Sequence, residues 1–192
     1  MSVLDTYSQY LMDAYSNMPC GKYVSLVLVR RIESEAIFRT EGSGEAQNKE
    51  FVHAGMEDQA LIRRVVISKR KQVAAERRTG RETLRTHERL FTGESGERLC
   101  ALNTNNPCGK CVDCMVYGYA AGGGGAQKSR VITDDAFSLH PASAITATRT
   151  FNAPFEDTTP WDREREQRMT GLGADEYVKP ESFFVEIETL KD

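Results

Sequence analysis

Four of the five cysteines fall between Cys100 and Cys114, in "CALNTNNPCGKCVDCMVYGYAAGGGGAQKSR", and this cluster constrains the chain more than any other feature. Clustered cysteines in a reducing compartment serve as metal ligands more readily than as disulfides. Cys108, Cys111 and Cys114 follow C-x-x-C-x-x-C, and Cys100 lies eight residues upstream, enough chain to turn back as a fourth ligand. Four thiolates at about 2.3 Å satisfy tetrahedral zinc and leave no open position, so the metal is expected to staple a loop. Gly109 permits the tight turn between the first two sulfurs, and Lys110 is expected to offset part of their charge. An iron-sulfur cluster is the main rival, but bacterial ferredoxins follow the same spacing with C-x-x-x-C-P, and Met115 to Tyr119 contains no cysteine. His87 and His140 are alternative fourth ligands to Cys100. Cys20 stands apart and reads as a small buried residue.

Directly after the cysteines, "GGGGAQKS" falls one residue short of the phosphate-binding pattern G-x-x-x-x-G-K-[ST], with Gln127 where the last glycine belongs. Such a loop should also follow a buried strand and open a helix, whereas "SRVIT" reads as extended. Two readings stay open. The run is a flexible connector, or its bare backbone approaches a phosphodiester while Lys128, Ser129 and Arg130 add charge and a hydroxyl.

A formal net charge of -3 argues against a protein that simply coats nucleic acid, but the charge is unevenly placed. From Ala60 to Arg89 there are ten Lys or Arg against three Glu; from Glu156 to Asp192 there are five against eleven acids. Lys69, Arg70, Lys71, Arg77, Arg78, Arg81 and Arg85 therefore read as a polyanion-binding block, with a plain charged surface as the competing reading and too few aromatics for base stacking. No basic segment precedes an apolar run at the N-terminus and no stretch is long enough to span a bilayer, so a cytoplasmic protein with no membrane partner is expected.

Elements follow from periodicity. Leu4, Tyr7, Leu11, Tyr15 and Met18 predict an amphipathic helix ending at Pro19, and "KYVSLVLVRR" a central strand. "EAIFRTEGSGEAQNKE" reads as a second strand entering a hairpin tip, "ALIRRVVISKRKQ" as a third, and "AERRTGRETLRTHERLF" as a helix. "SRVITDDAFSL" and "ASAITATRTFNA" read as extended segments, "DREREQRM" as an acidic helix. In "SFFVEIETL", Phe183, Val185 and Ile187 alternate with Phe184, Glu186 and Glu188, a strand so close to the end of the sequence that either a fragment or an edge completed by a partner is expected. Strands and helices mix without βαβ regularity, which favours an α+β fold.

Taken in order, "YVSLVLVRRIESEAIFRTEG", "ISKRKQVAAERRTGRETLR" and "CGKCVDCMVYGYAAGGGGAQKSRVITDDAFSL" closely resemble the backbone subunit of the type I-D CRISPR surveillance (Cascade) complex, of the repeat-associated RNA-binding superfamily. The likeness covers nearly the whole chain. It implies one RNA-recognition-motif-like (ferredoxin-like) palm over residues 1–192, with a metal-binding, glycine-rich insertion at about 100–128 and a thumb-like excursion at about 140–180. Family members continue past the last strand, so it also implies a palm truncated at Asp192. By the same resemblance the chain polymerises along crRNA with copies of itself and other effector subunits, and presents the guide bases to a target DNA or RNA strand in antiviral defence. Guide contacts then fall on Arg30, Arg31, Lys69, Arg70, Lys71, Arg77, Arg78, Gly123, Gly124, Gly125, Gln127, Lys128, Ser129 and Arg130, and structural zinc on Cys100, Cys108, Cys111 and Cys114. The expected role is non-catalytic. Because some relatives cut target RNA with an aspartate, Asp134 and Asp135, with His140 nearby in sequence, are the alternative nuclease residues; a carboxylate capping a turn or helix is the competing reading.

Overall fold

The computed structural model describes residues 3–14, 16, 18, 20–39, 47–93, 99–122, 125–152, 161–162, 164, 166–168 and 172–192. A 3-10 helix, Val3–Tyr10, precedes β1 (Tyr23–Arg31), β2 (Lys49–His53), β3 (Leu61–Ile67) and α1 (Lys69–Thr86). Then come α2 (Val112–Tyr117), β4 (Tyr119–Ala120), β5 (Ala126–Gln127), β6 (Val131–Thr133), β7 (Ala136–Pro141) and α3 (Ala142–Ile145). The chain closes with β8 (Thr146–Asn152), β9 (Trp161–Asp162), β10 (Gln167–Arg168), β11 (Leu172–Val178) and β12 (Phe183–Lys191). This is a mixed α+β fold whose registered strand pairs are all antiparallel.

The main sheet runs β1-β12-β7-β3-β2, with β6 also pairing to β12. Two compact units divide the chain: Met1–Leu26, Arg77–Ile132 and Glu188–Asp192 form one, Val27–Glu76 and Thr133–Ile187 the other. The second unit holds the apolar core of Val65, Ile67, Ala136, Ala142, Ile145, Val178 and Phe184, with Phe38 edge-on to Phe184 at 5.7 Å. Adjacent strands β3 and β7 supply Val65, Ile67 and Ala136, the first two at the two-residue spacing of one strand face, while α3 supplies Ala142 and Ile145, β11 Val178 and β12 Phe184. In the first unit the buried apolar cluster is Leu90 with the four cysteines, flanked by Leu84 and Tyr119.

Several expectations change. β1 lies at the end of the sheet order, and Val24, Leu26, Val27 and Val29 are exposed; continuous apolar character reports β-propensity, and the pairing order decides who covers it. β12, conversely, lies inside the sheet between β1 and β7, so its edges are already paired within the chain. Its buried face is the one carrying Phe184, Glu186 and Glu188. Arg30 makes this tolerable, donating to Glu186 Oε1 through Nε at 2.8 Å and through Nη2.

Among the described residues, the second expected strand shows a single bridge, Ala36 with Val178. Buried Gln47 takes the place of a ladder, accepting from Phe38 N–H at 2.8 Å and donating to the Glu176 carbonyl at 2.7 Å; the expected tip at 40–46 lies outside the described residues. Among the described residues the expected N-terminal helix is the 3-10 stretch Val3–Tyr10, whose residues Asp5–Tyr10 are exposed; a short stretch without a buried face does not propagate into an α-helix. "DREREQRM" is not helical in its described part: Gln167 and Arg168 pair with Asp162 and Trp161. Its alternating charges offered a helix no apolar face. Helix α1 begins at Lys69, earlier than the pattern indicated. Cys20 is exposed, not buried.

β8 and β11 form a long ribbon, in register from Thr146 opposite Val178 to Asn152 opposite Leu172. At Gly173 an added Cβ would lie 2.2 Å from the Phe151 ring, so the ring can lie over the ribbon only at glycine. This ribbon falls in the segment expected to form a thumb; residues 153–160, 163, 165 and 169–171 are outside the described part.

Candidate metal centre

Local backbone geometry assembles the cysteine cluster. Gly109 has φ +61°, the left-handed conformation a knuckle requires, and an added Cβ would press on Tyr119. The chain then turns at Cys111, whose side chain caps α2 by accepting from Cys114 N–H. Cys100 returns from upstream, its N–H donating to the Phe91 carbonyl at 2.7 Å.

All four sulfurs are buried and lie within 4.8 Å of one another. Cys100 to Cys114 is 3.5 Å, Cys108 to Cys114 3.9 Å and Cys100 to Cys111 3.9 Å. A tetrahedron of Zn–S bonds of about 2.3 Å places its sulfurs about 3.8 Å apart, so these distances fit one zinc-sized ion. Backbone N–H groups of Cys108, Lys110, Cys111 and Cys114 donate to cluster sulfurs at 3.2 to 3.5 Å, the dipoles a thiolate set needs. The four cysteines could therefore bind a metal ion such as zinc. Neither His87 nor His140 belongs to the group, so Cys100 keeps the fourth position.

Protonation in the metal-free cluster is uneven. Burial pushes the Cys108 thiol up, but the N–H groups of Lys110 and Cys111, and then the Cys111 and Cys100 side chains, bring it down to about 7. Burial raises Cys111 to about 11 and also raises Cys114.

Helix α1 supplies what the sequence pattern did not reveal. Arg77 and Arg81, one turn apart, face inward onto Asp113, which is 3% exposed. Arg77 Nε reaches Asp113 Oδ1 at 2.7 Å and Nη2 reaches Oδ2 at 3.0 Å and the Gly118 carbonyl at 3.0 Å. Arg81 Nη1 reaches Asp113 Oδ2 at 2.5 Å. Lys110, the expected charge partner, is exposed and gives the cluster only its backbone N–H. The missed signal was an acid between two cysteines together with arginines at i, i+4 spacing.

The glycine run lies in the chain between two paired strands. β4 and β5 pair Tyr119 with Gln127 and Ala120 with Ala126, and Ala121 N–H donates to the Gly125 carbonyl at 3.1 Å. A strand, and no helix, follows the run. Gly122 N–H donates to Asn105 Oδ1, and Gly125 has φ +88°; Gly123 and Gly124 lie outside the described residues. Gln127 donates to the Met115 carbonyl at 2.9 Å, Ser129 folds onto Val131, and Lys128 is exposed. Arg130 N–H bonds the Val116 carbonyl at 2.8 Å.

Lys69, Arg70, Lys71, Arg78 and Arg85 lie exposed on α1. Arg31 is also exposed, within 3.5 Å of Glu33 and 3.8 Å of Glu181. Arg30 and Arg77 are committed to buried acids. Asp135 Oδ1 accepts from Lys69 N–H at 2.7 Å and so caps α1 from another segment, while Asp134 and His140 are exposed.

Residues 10–192 match the family described as Csc2 Crispr. The chain belongs to that family. Csc2 proteins are subunits of the CRISPR Cascade complex, so the chain's context is antiviral defence, with crRNA and other complex subunits around it. No curated protein matches the chain. Among the described residues, no helix is long and apolar enough to cross a membrane.

Proposed function

We propose that the chain is a non-catalytic backbone subunit of a type I-D Cascade, polymerised along crRNA in the cytoplasm and displaying guide bases to a target strand. The Csc2 match over residues 10–192 carries this reading. In it, the antiparallel sheet with α1 is the RNA-recognition-motif-like palm, and the β8–β11 ribbon the base of the thumb. The cysteine knuckle holds structural zinc, whose four-thiolate shell leaves no position for water or substrate.

Guide phosphates meet the exposed cations Lys69, Arg70, Lys71, Arg78 and Lys128, with Arg31 and the Gly125–Arg130 segment contributing. Such contacts are sequence-independent, and base pairing supplies specificity. The position of Asp135 favours the non-catalytic form: its carboxylate is occupied with the α1 N-terminus. Particle mass and zinc content of the complex purified with its RNA test the assembly. Labelled target RNA with magnesium tests the rest, since regularly spaced cuts lost in Asp134→Ala or Asp135→Ala would make the chain a nuclease.

A further inference from the structure

Four thiolates around a divalent ion leave two negative charges in a buried place, and something must offset them. Arg81 is positioned to do so. It is 3% exposed, although it belongs to a helix whose other cations mostly face solvent. One guanidinium makes three contacts: Nη2 donates to the Cys100 carbonyl at 2.5 Å, Nη1 to Asp113 Oδ2 at 2.5 Å, and Nη1 lies 3.7 Å from Cys100 Sγ. The planar fork of arginine suits this arrangement, since it addresses backbone, sulfur and carboxylate at once.

Cys100 is the ligand outside the C-x-x-C-x-x-C run, so its place in the cluster depends on how its own loop segment is held. Arg81 grips both its carbonyl and its sulfur. Asp113, lying between Cys111 and Cys114 in the chain, fixes that guanidinium from the other side and is itself held by Arg77. Arg77, Arg81 and Asp113 line one cavity of about 190 Å³ together with Cys100 and Cys114.

We infer that Arg81, locked by Asp113, is a positioning residue of the metal centre: it offsets thiolate charge and holds the Cys100 arm in place. The inference rests on the reading that the cysteines hold a metal. It gives α1 two functions, one face for the knuckle and the other for its exposed cations.

The test compares the parent chain with Arg81→Met and Arg81→Lys, each loaded with zinc, for release to a chromogenic chelator, and each loaded with cobalt for its thiolate charge-transfer band. Arg81→Met is expected to release zinc about 10- to 100-fold faster, the usual cost of losing a group that supports a ligand. Arg81→Lys should fall between, keeping the charge and losing the fork. The cobalt band should shift in both while far-UV circular dichroism is unchanged, which a mere packing role would not produce. Parent-like release with an unshifted band in Arg81→Met overturns the inference. Should that variant not fold, the lysine variant decides: faster release with a shifted band supports the role, and parent-like behaviour in both overturns it. A parent chain that takes up no zinc overturns the metal reading and this inference with it, whereas a loaded parent with unaltered variants overturns the inference alone.

Discussion

Arg30 on β1 donates through Nε to Glu186 on β12 at 2.8 Å, and the Glu186 side chain is fully buried. Gln72 Oε1 accepts from the same Nε at 3.1 Å. A residue that reads as a guide contact in sequence thus neutralises a carboxylate inside the sheet. Removing it strands a buried charge, so Arg30→Ala should lose about 3 kcal/mol of stability in urea unfolding, the lower part of the usual range because Arg30 is itself partly exposed. Arg31→Ala should stay within about 0.5 kcal/mol of the parent. Equal stability in both variants would contradict the pairing.

Cys108→Ser removes one of four ligands and an N–H-stabilised sulfur from the apolar cluster of the first unit. Zinc content should fall steeply, and amide exchange should rise across 100–122 while β3, β7 and the core around Phe184 keep their protection. A chelator should reproduce the pattern in the parent. Uniform loss of protection would show that the knuckle and the Phe184 core unfold as one.

Zinc binding should release protons in a pH-dependent number. Burial keeps Cys111 and Cys114 protonated at neutral pH, so both lose protons to the metal, while Cys108, near 7, is mostly thiolate at pH 8 and mostly thiol at pH 6. Calorimetry in buffers of different ionisation enthalpy should count about one more released proton at pH 6 than at pH 8 from this group. Zinc affinity accordingly weakens as pH falls. A proton count independent of pH would show that Cys108 is not held low.

Asp135→Ala removes the carboxylate that caps α1 and should cost about 1 kcal/mol, whereas Asp134→Ala, at an exposed position, should be nearly neutral. Neither should alter the fate of a labelled target RNA. The stability difference checks the cap; the RNA assay checks the non-catalytic reading.

Charge reversal at Lys69, Lys71 and Arg78 should weaken binding of single-stranded RNA of any sequence and flatten its salt dependence, by about 0.7 in the log-log slope for each lost phosphate contact. Circular dichroism should not change, because these side chains are exposed. An unaltered slope would place the guide elsewhere.

The cysteine cluster was legible in advance because its information is local. C-x-x-C-x-x-C, Gly109 and the α2 turn lie within a few residues, and their spacing alone brings three sulfurs together. β3, β12 and most of α1 were legible for the same reason, since side-chain periodicity survives in the sequence. Arg77 and Arg81 could be recognised only as part of a basic run: nothing nearby announces that Asp113, more than thirty residues on, would bury them.

What the sequence alone determined was the donor set of the cluster, the strands and helix that its periodicities dictate, and an uneven distribution of charge. Only the tertiary structure decided which charges are spent inside and which face solvent, which face of β12 is buried, and that apolar β1 ends the sheet order while β12 lies within it. The reason is physical. Burial and ion pairing depend on which segments meet across long stretches of chain, and a charged side chain carries the same letter whether it meets water, a phosphate or a buried acid.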